Sequence, residues 1–144
     1  MPASQRVDPY GAFRFLVEID GIVAAGFSEC SGLTAEIDII EYREGGDPTT
    51  ARKIAGLRKY TSIVLKRGLT NDKSLWNWFK NVLDGNVQRA NGSIVLLDAS
   101  GKEVARWNFH NGWPSKWEGP TLNAKANEIA IETLEISHEG FEWA

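Results

Sequence analysis

DPYGAFRFLVEIDGIVAAGFSECSGL, residues 8–33, is the stretch whose reading decides the fold. Phe13, Phe15, Val17 and Ile19 fall on one side of a two-residue period and Arg14, Leu16 and Glu18 on the other. That alternation predicts a strand with one dry face. Asp20-Gly21 follows, a pair suited to the positive φ values of a tight hairpin turn, so a return strand is expected over Ile22 to Phe27. Ser28, Glu29, Ser31 and Gly32 then flank Cys30.

The alternation continues downstream. Leu33, Ala35, Ile37 and Ile39 alternate with Thr34, Glu36, Asp38 and Ile40, predicting a third strand with an apolar and an acidic face. Glu41 to Leu57 breaks every period at Gly45, Gly46, Asp47 and Pro48 and reads as a long loop or extended hairpin arm. A fourth strand is expected over Lys59 to Leu69. Leu75, Trp76, Phe79, Val82 and Leu83 recur at helical spacing and predict one helix over Lys73 to Asp84, with Asn71 or Asp72 at its start, Gly85 at its end and Trp78 off the stripe. Ser93 to Asp98 and Glu103 to His110 form a hairpin, Asn111 to Pro120 a Trp- and Pro-bearing loop, and Asn127 to His138 a last strand. In that strand the apolar phase slips from Ile129 and Ile131 to Leu134 and Ile136, as a β-bulge or a bend would produce.

Length and composition set bounds on what the chain does. At 144 residues it suits one domain over 1–144, and 42% apolar with 24% charged residues excludes a mostly disordered chain. The formal net charge of −3 argues against a phosphate-binding surface. Cys30 is the only cysteine, so an intrachain disulfide and a thiolate metal cluster are both excluded. The stretch MPASQRVDPYGAF has no apolar run of signal-peptide length, which points to synthesis in the cytosol.

Catalytic signatures are absent from the spacing. His110 and His138 stand at strand ends with no neighbouring nucleophile or partner acid, and Cys30 has no adjacent His or helix start to lower its pKa. The glycines match neither phosphate-loop pattern. Glu36 with Asp38, and Glu128 with Glu132, each share one strand face and read as a solvated face, or in a sharper version as the wall of an aqueous channel between subunits. Trp113, Trp117 and Trp143 are candidates for a subunit interface, and Trp113 with Trp117, less economically, for a small-ligand site.

Several segments, in order, carry a resemblance: FRFLVEIDG at 13–21, FSECSGL at 27–33, EYREGG at 41–46, the 53–57 segment, LKRGLT at 65–70, WNFHNGWPSK at 107–116 and NEIAIETLEISHEG at 127–140. Together they resemble the tube proteins of contractile phage tails and extracellular contractile injection systems, related to the hemolysin-coregulated tube protein of type VI secretion. The resemblance implies a mainly β fold, a two-sheet β-sandwich or small barrel with one flanking α-helix. It further implies a hexameric ring with a continuous inner barrel, rings that stack into a hollow tube inside a sheath, and no catalysis, cofactor or metal.

On that resemblance Arg43, Glu44, Arg52 and Lys53, on the arm at 41–57, are expected to contact an adjacent subunit or ring, and Glu36, Asp38, Glu128 and Glu132 to line the lumen. The implied partners are further copies of the chain, a sheath protein, baseplate or spike and terminator proteins, and cargo effectors or phage DNA in the lumen, with no membrane insertion of the monomer. The implied location is a virion tail or a released injection particle. A baseplate or tip adaptor on the same fold, a small-ligand-binding β-barrel using Trp113 and Trp117, and a hydrolase using His110 or His138 are the competing readings.

Overall fold

The computed structural model describes residues 8–12, 14–20, 26–43, 45 and 51–144. In β1 (Phe15–Ile19) the expected alternation holds, with Val17 and Ile19 buried and Leu16 and Glu18 facing out. Phe13 lies outside the described residues, as does most of the return strand expected over Ile22 to Phe27; Gly26 and Phe27 are not in a strand. The described partner of β1 is β6 (Ala90–Leu97), antiparallel, with Phe15 opposite Leu96 and Ile19 opposite Gly92. Asp20 prolongs that pairing, its N–H donating to the Asn91 carbonyl at 2.9 Å.

β7 (Glu103–Glu118) joins two sheets. Its first half pairs with β6 and, at Trp107–Phe109, with the short β9 (Phe141–Trp143). Its second half pairs with β8 (Ile131–Ser137), which in turn pairs with β5 (Ile63–Gly68) and, through it, β2 (Glu29–Ser31). The expected loop over Asn111 to Pro120 is therefore largely strand. Asn111, at φ 52°, takes the left-handed conformation that Asn tolerates, and the chain changes partner there. A Cβ at the adjacent Gly112 would lie 3.0 Å from Ile136 and 3.2 Å from the Ala90 carbonyl, so a larger residue in the bend would push its neighbours by a few tenths of an ångström. Pro114 is accommodated where the register shifts between Pro114 and Lys116.

The strand expected over Lys59 to Leu69 is two strands. β4 (Arg52–Tyr60) ends before Thr61-Ser62 and pairs with β3 (Ala35–Tyr42) in a separate two-stranded sheet, and β5 begins at Ile63. The last long strand is shorter than expected and contains no bulge in its pairing with β5: the register runs unbroken from Ile63 opposite Ile136 to Gly68 opposite Ile131. The phase slip arises because Ile129 precedes the strand and the inward set is Glu132, Leu134 and Ile136.

The core lies between the inner faces of the two sheets, around Val17, Ile19, Ile63, Leu65, Ile94, Phe109, Leu134 and Ile136, and α1 (Ser74–Leu83) closes it against β7. Asp72 Oδ1 accepts the Ser74 N–H at 3.0 Å ahead of the first turn, and Gly85 at φ 88° ends the helix. The buried line of α1 is Leu75 and Trp78, one i,i+3 step, which corrects the expected stripe. Trp78 is 3% exposed with its Nε1–H donated to the Gln88 carbonyl at 3.0 Å, whereas Leu83 is exposed.

Candidate assembly surface

β3 and β4 form a ribbon whose root is fixed and whose length is not covered. At the root, Gly32 has φ 92°, and a Cβ there would fall 2.0 Å from the Ser62 carbonyl oxygen, so the chain crossing requires glycine. Thr61 Oγ1–H donates to the Gly32 carbonyl at 3.0 Å. Tyr60 meets Phe141 edge-on at 5.5 Å and His138 at 5.8 Å between ring centroids. His138 Nε2 lies 2.9 Å from the Thr61 carbonyl and Nδ1 accepts the Gly140 N–H at 3.1 Å, so both ring nitrogens are spent on backbone and the first is the protonated one.

Beyond the root, each strand has the other as its partner, and no other described strand pairs with them. A bulge at Gly56-Leu57 faces Asp38, with Gly56 close enough that a Cβ would sit 3.0 Å from the Asp38 carbonyl oxygen. Ile37 and Ile39 project from one face and Ile40, Ile54 and Tyr42 from the other; all five are exposed, as is Leu57. A two-stranded ribbon alone is marginal in water, and apolar residues on both of its faces call for cover on both sides.

The residues expected at a subunit contact divide as follows. Arg52 and Lys53 are on β4, opposite Tyr42 and Glu41, and both are exposed, as is Arg43 just past β3. Glu44 lies outside the described residues. Of the residues expected to line a lumen, Glu36 and Asp38 share a face of β3 near the root, where Lys59 Nζ reaches Asp38 Oδ1 at 2.8 Å; that hydrogen bond raises the Lys59 pKa. Glu128 is exposed but precedes β8.

Glu132 does not fit that role. It is 3% exposed, in phase with Leu134 and Ile136, and its carboxylate accepts the Nε–H of Arg67 and, at 3.3 Å, the Nε1–H of Trp117. Arg67, 4% exposed, also donates to the Asp72 carboxylate and backbone carbonyl at 3.3 and 3.1 Å and lies 5.7 Å from the Phe27 ring centroid. A buried charge persists when paired and hydrogen-bonded in this way. The signal is in the phase: Arg67 continues Ile63 and Leu65, and Glu132 begins Leu134 and Ile136.

The opposite face of the same sheet is largely polar, interrupted by the half-buried Val64 and Ile131. Lys66 pairs with Glu29 at 3.7 Å and Lys116 with Glu135 at 3.4 Å. Ser62, Ser137 and Ser115 form a hydroxyl row across it, at 3.4 and 2.9 Å. Elsewhere, burial pushes the half-buried Cys30 thiol up to about 11, the opposite of nucleophile activation. His110 Nε2 lies 3.9 Å from Glu142 Oε1. Trp113 and Trp117 are both in β7, and Trp117 meets Trp76 edge-on at 4.9 Å. Among the described residues no group of His, Cys, Asp and Glu is placed to hold a metal ion, and no helix is long and apolar enough to cross a membrane.

The family model for T4-like virus tail tube protein gp19 matches residues 11–142. No curated protein sequence matches the chain. Among solved structures, a chain of the anti-feeding prophage baseplate, 6-fold symmetrised, is 29% identical at a TM-score of 0.88, over 96% of this chain and 97% of that one. A chain of the PVC sheath-tube complex in the extended state, an extracellular contractile injection system, is 25% identical at 0.85, over 94% and 91%. Hcp1 from Flavobacterium johnsoniae shares the fold at a TM-score of 0.56 and 15% identity, over 89% and 94%. The chain belongs to the T4-like virus tail tube protein gp19 family and is a structural tube subunit.

Proposed function

We propose that the chain is one domain over 1–144 that closes, as six copies, into a ring, and that rings stack into the inner tube of a phage-tail-like contractile injection system. The β3–β4 ribbon carries this reading: it presents Ile37, Ile39, Ile40, Ile54 and Leu57 to solvent on two faces, a cost removed when it lies between neighbouring copies. Arg43, Arg52 and Lys53 on the same ribbon contact the adjacent subunit or ring. Side-by-side closure also pairs the strands that end the sheet path, β1 and β2, removing exposed edges.

The lumen wall is the polar face bearing Lys66, Lys116, Thr133, Glu135 and Ser137, extended by Glu36 and Asp38. Apart from Glu36 its charges are paired, Lys66 with Glu29, Lys116 with Glu135 and Asp38 with Lys59, which lets cargo, whether effector protein or phage DNA, pass without strong adhesion. The tube acts without catalysis, inside a sheath and between baseplate and terminator proteins; the similar solved structures come from a baseplate, a sheath-tube complex and a sheath/tube terminator. Assembly in the bacterial cytoplasm precedes release as a tail or particle. Negative-stain microscopy of the purified full chain tests this: hollow rings and stacked tubes are expected. Monomers at every concentration overturn it, and rings that never stack in any condition favour a baseplate adaptor.

A further inference from the structure

The two ends of the β2–β5–β8–β7 sheet are unlike. At one end, Arg58, Tyr60, His138 and Glu139 line a shallow recess of about 430 Å³. Two of its four lining residues are aromatic rings, Tyr60 and His138, with centroids 5.8 Å apart. Glu139 is compensated by Arg89 at 3.5 Å and by the Asn111 amide at 2.7 Å, so Arg58 is the charge there without a partner among the described residues. At the other end, the segment between β7 and β8 presents Leu122, 83% exposed, and Ile129, 80% exposed. Around that segment stand Glu118 and Glu128, with no partner among the described residues, and Lys125, which leaves one net negative charge.

Within one copy these ends cannot meet. The β5–β8 register holds them apart over the paired run from Ile63 to Gly68, ~20 Å of strand. We propose that the 119–130 segment of one copy seats in the Arg58–Tyr60–His138 recess of the next, Leu122 on the two aromatic rings and Glu118 and Glu128 towards Arg58. The occupant is a second copy because the two surfaces are opposite in charge, one projects exposed apolar side chains where the other offers aromatic rings, and both belong to one chain. A contact between unlike surfaces of identical subunits closes into a ring when its rotation closes and otherwise propagates; with ring closure taken by β1 and β2, a contact between the two opposite ends of the sheet propagates along the stack. This inference rests on the tube reading above and assigns its ring-to-ring contact.

Charge reversal tests it on the full chain. Glu118→Lys with Glu128→Lys makes both ends positive, and Arg58→Glu makes both negative; each preparation is expected to lose stacks while remaining folded. The triple variant, with both ends reversed, is expected to stack again, and a mixture of the two single-end variants to co-stack. Single-end variants that stack like the wild type, or a triple variant that does not recover, overturn the inference while leaving the tube reading intact. Wild-type protein that forms neither rings nor tubes overturns both. If a variant fails to fold, the wild type decides by itself: its stacks shorten between roughly 0.05 and 1 M salt as screening grows, and stacks of unchanged length overturn the proposal.

Discussion

Arg67 and Glu132 form an ion pair inside the sandwich, across the β5–β8 register, that ties both strands to the start of α1 through Asp72. Removing one partner leaves the other as an uncompensated buried charge, so Glu132→Ala is expected to cost ~3–5 kcal/mol in urea unfolding. Replacing both, Arg67→Met with Glu132→Leu, restores most of that stability because neither charge is then desolvated. A double variant as unstable as the single one would show that the pair is not what holds this corner together.

Trp78 anchors α1. Its ring is buried and its indole N–H is spent on Gln88, so Trp78→Ala is expected to cost ~3–5 kcal/mol, against well under ~1 kcal/mol for Leu83→Ala on the exposed side. Thermal unfolding of the two variants side by side gives the ranking. Equal losses would mean the helix packs along the Leu83 side instead.

Alternation in the sequence is enough to place Val17 and Ile19, Ile63 and Leu65, and the β6–β7 hairpin, because each strand there has one dry side. It misleads where a charge occupies a core position: Glu132 reads as a channel residue, and only the fold brings Arg67 beside it. The Trp- and Pro-bearing segment hides the second half of β7, since the partner change at Asn111 depends on a strand distant in sequence. β9, at three residues, is too short to show a period. On the arm the pattern is readable but its meaning is not: Ile37 and Ile39 look like core residues and are exposed in the monomer.

Gly32→Ala is expected to destabilise the root of the arm by more than ~1 kcal/mol, because the residue sits at φ 92° and the new methyl would overlap the Ser62 carbonyl. Gly45→Ala, whose new methyl would meet no atom of the described residues within 4 Å, is the control and should be near neutral. Chemical denaturation of both variants checks the contrast.

Asp98 closes the β6–β7 turn by accepting from the Ser100 hydroxyl and from the Lys102 and Ser100 N–H groups, which lowers its pKa below the ordinary 3.8. A carboxyl with a depressed folded pKa adds stability above its unfolded pKa and loses it as pH falls through the folded value. Wild type is therefore expected to melt above Asp98→Asn at neutral pH, with the difference closing as the pH falls below the ordinary carboxylate value of 3.8. A gap that persists in acid would assign the turn's stability to geometry rather than to the carboxylate charge.

Ile39 and Ile54 separate folding from assembly. Both are exposed on the ribbon, on opposite faces, so Ile39→Asp and Ile54→Asp change little that the monomer buries, and each is expected to shift unfolding by no more than ~0.5 kcal/mol. In a ring the same carboxylates would be desolvated without a partner at the contact, so sedimentation should find monomers where the wild type gives rings. If only one of the two substitutions blocks ring formation, the ribbon is covered on that face alone, and the other remains open to solvent or to the surrounding sheath. If both variants assemble normally, the exposed isoleucines are not the contact and the ribbon's role must lie in its charged residues, Arg43, Arg52 and Lys53, which charge-reversing substitutions would then expose.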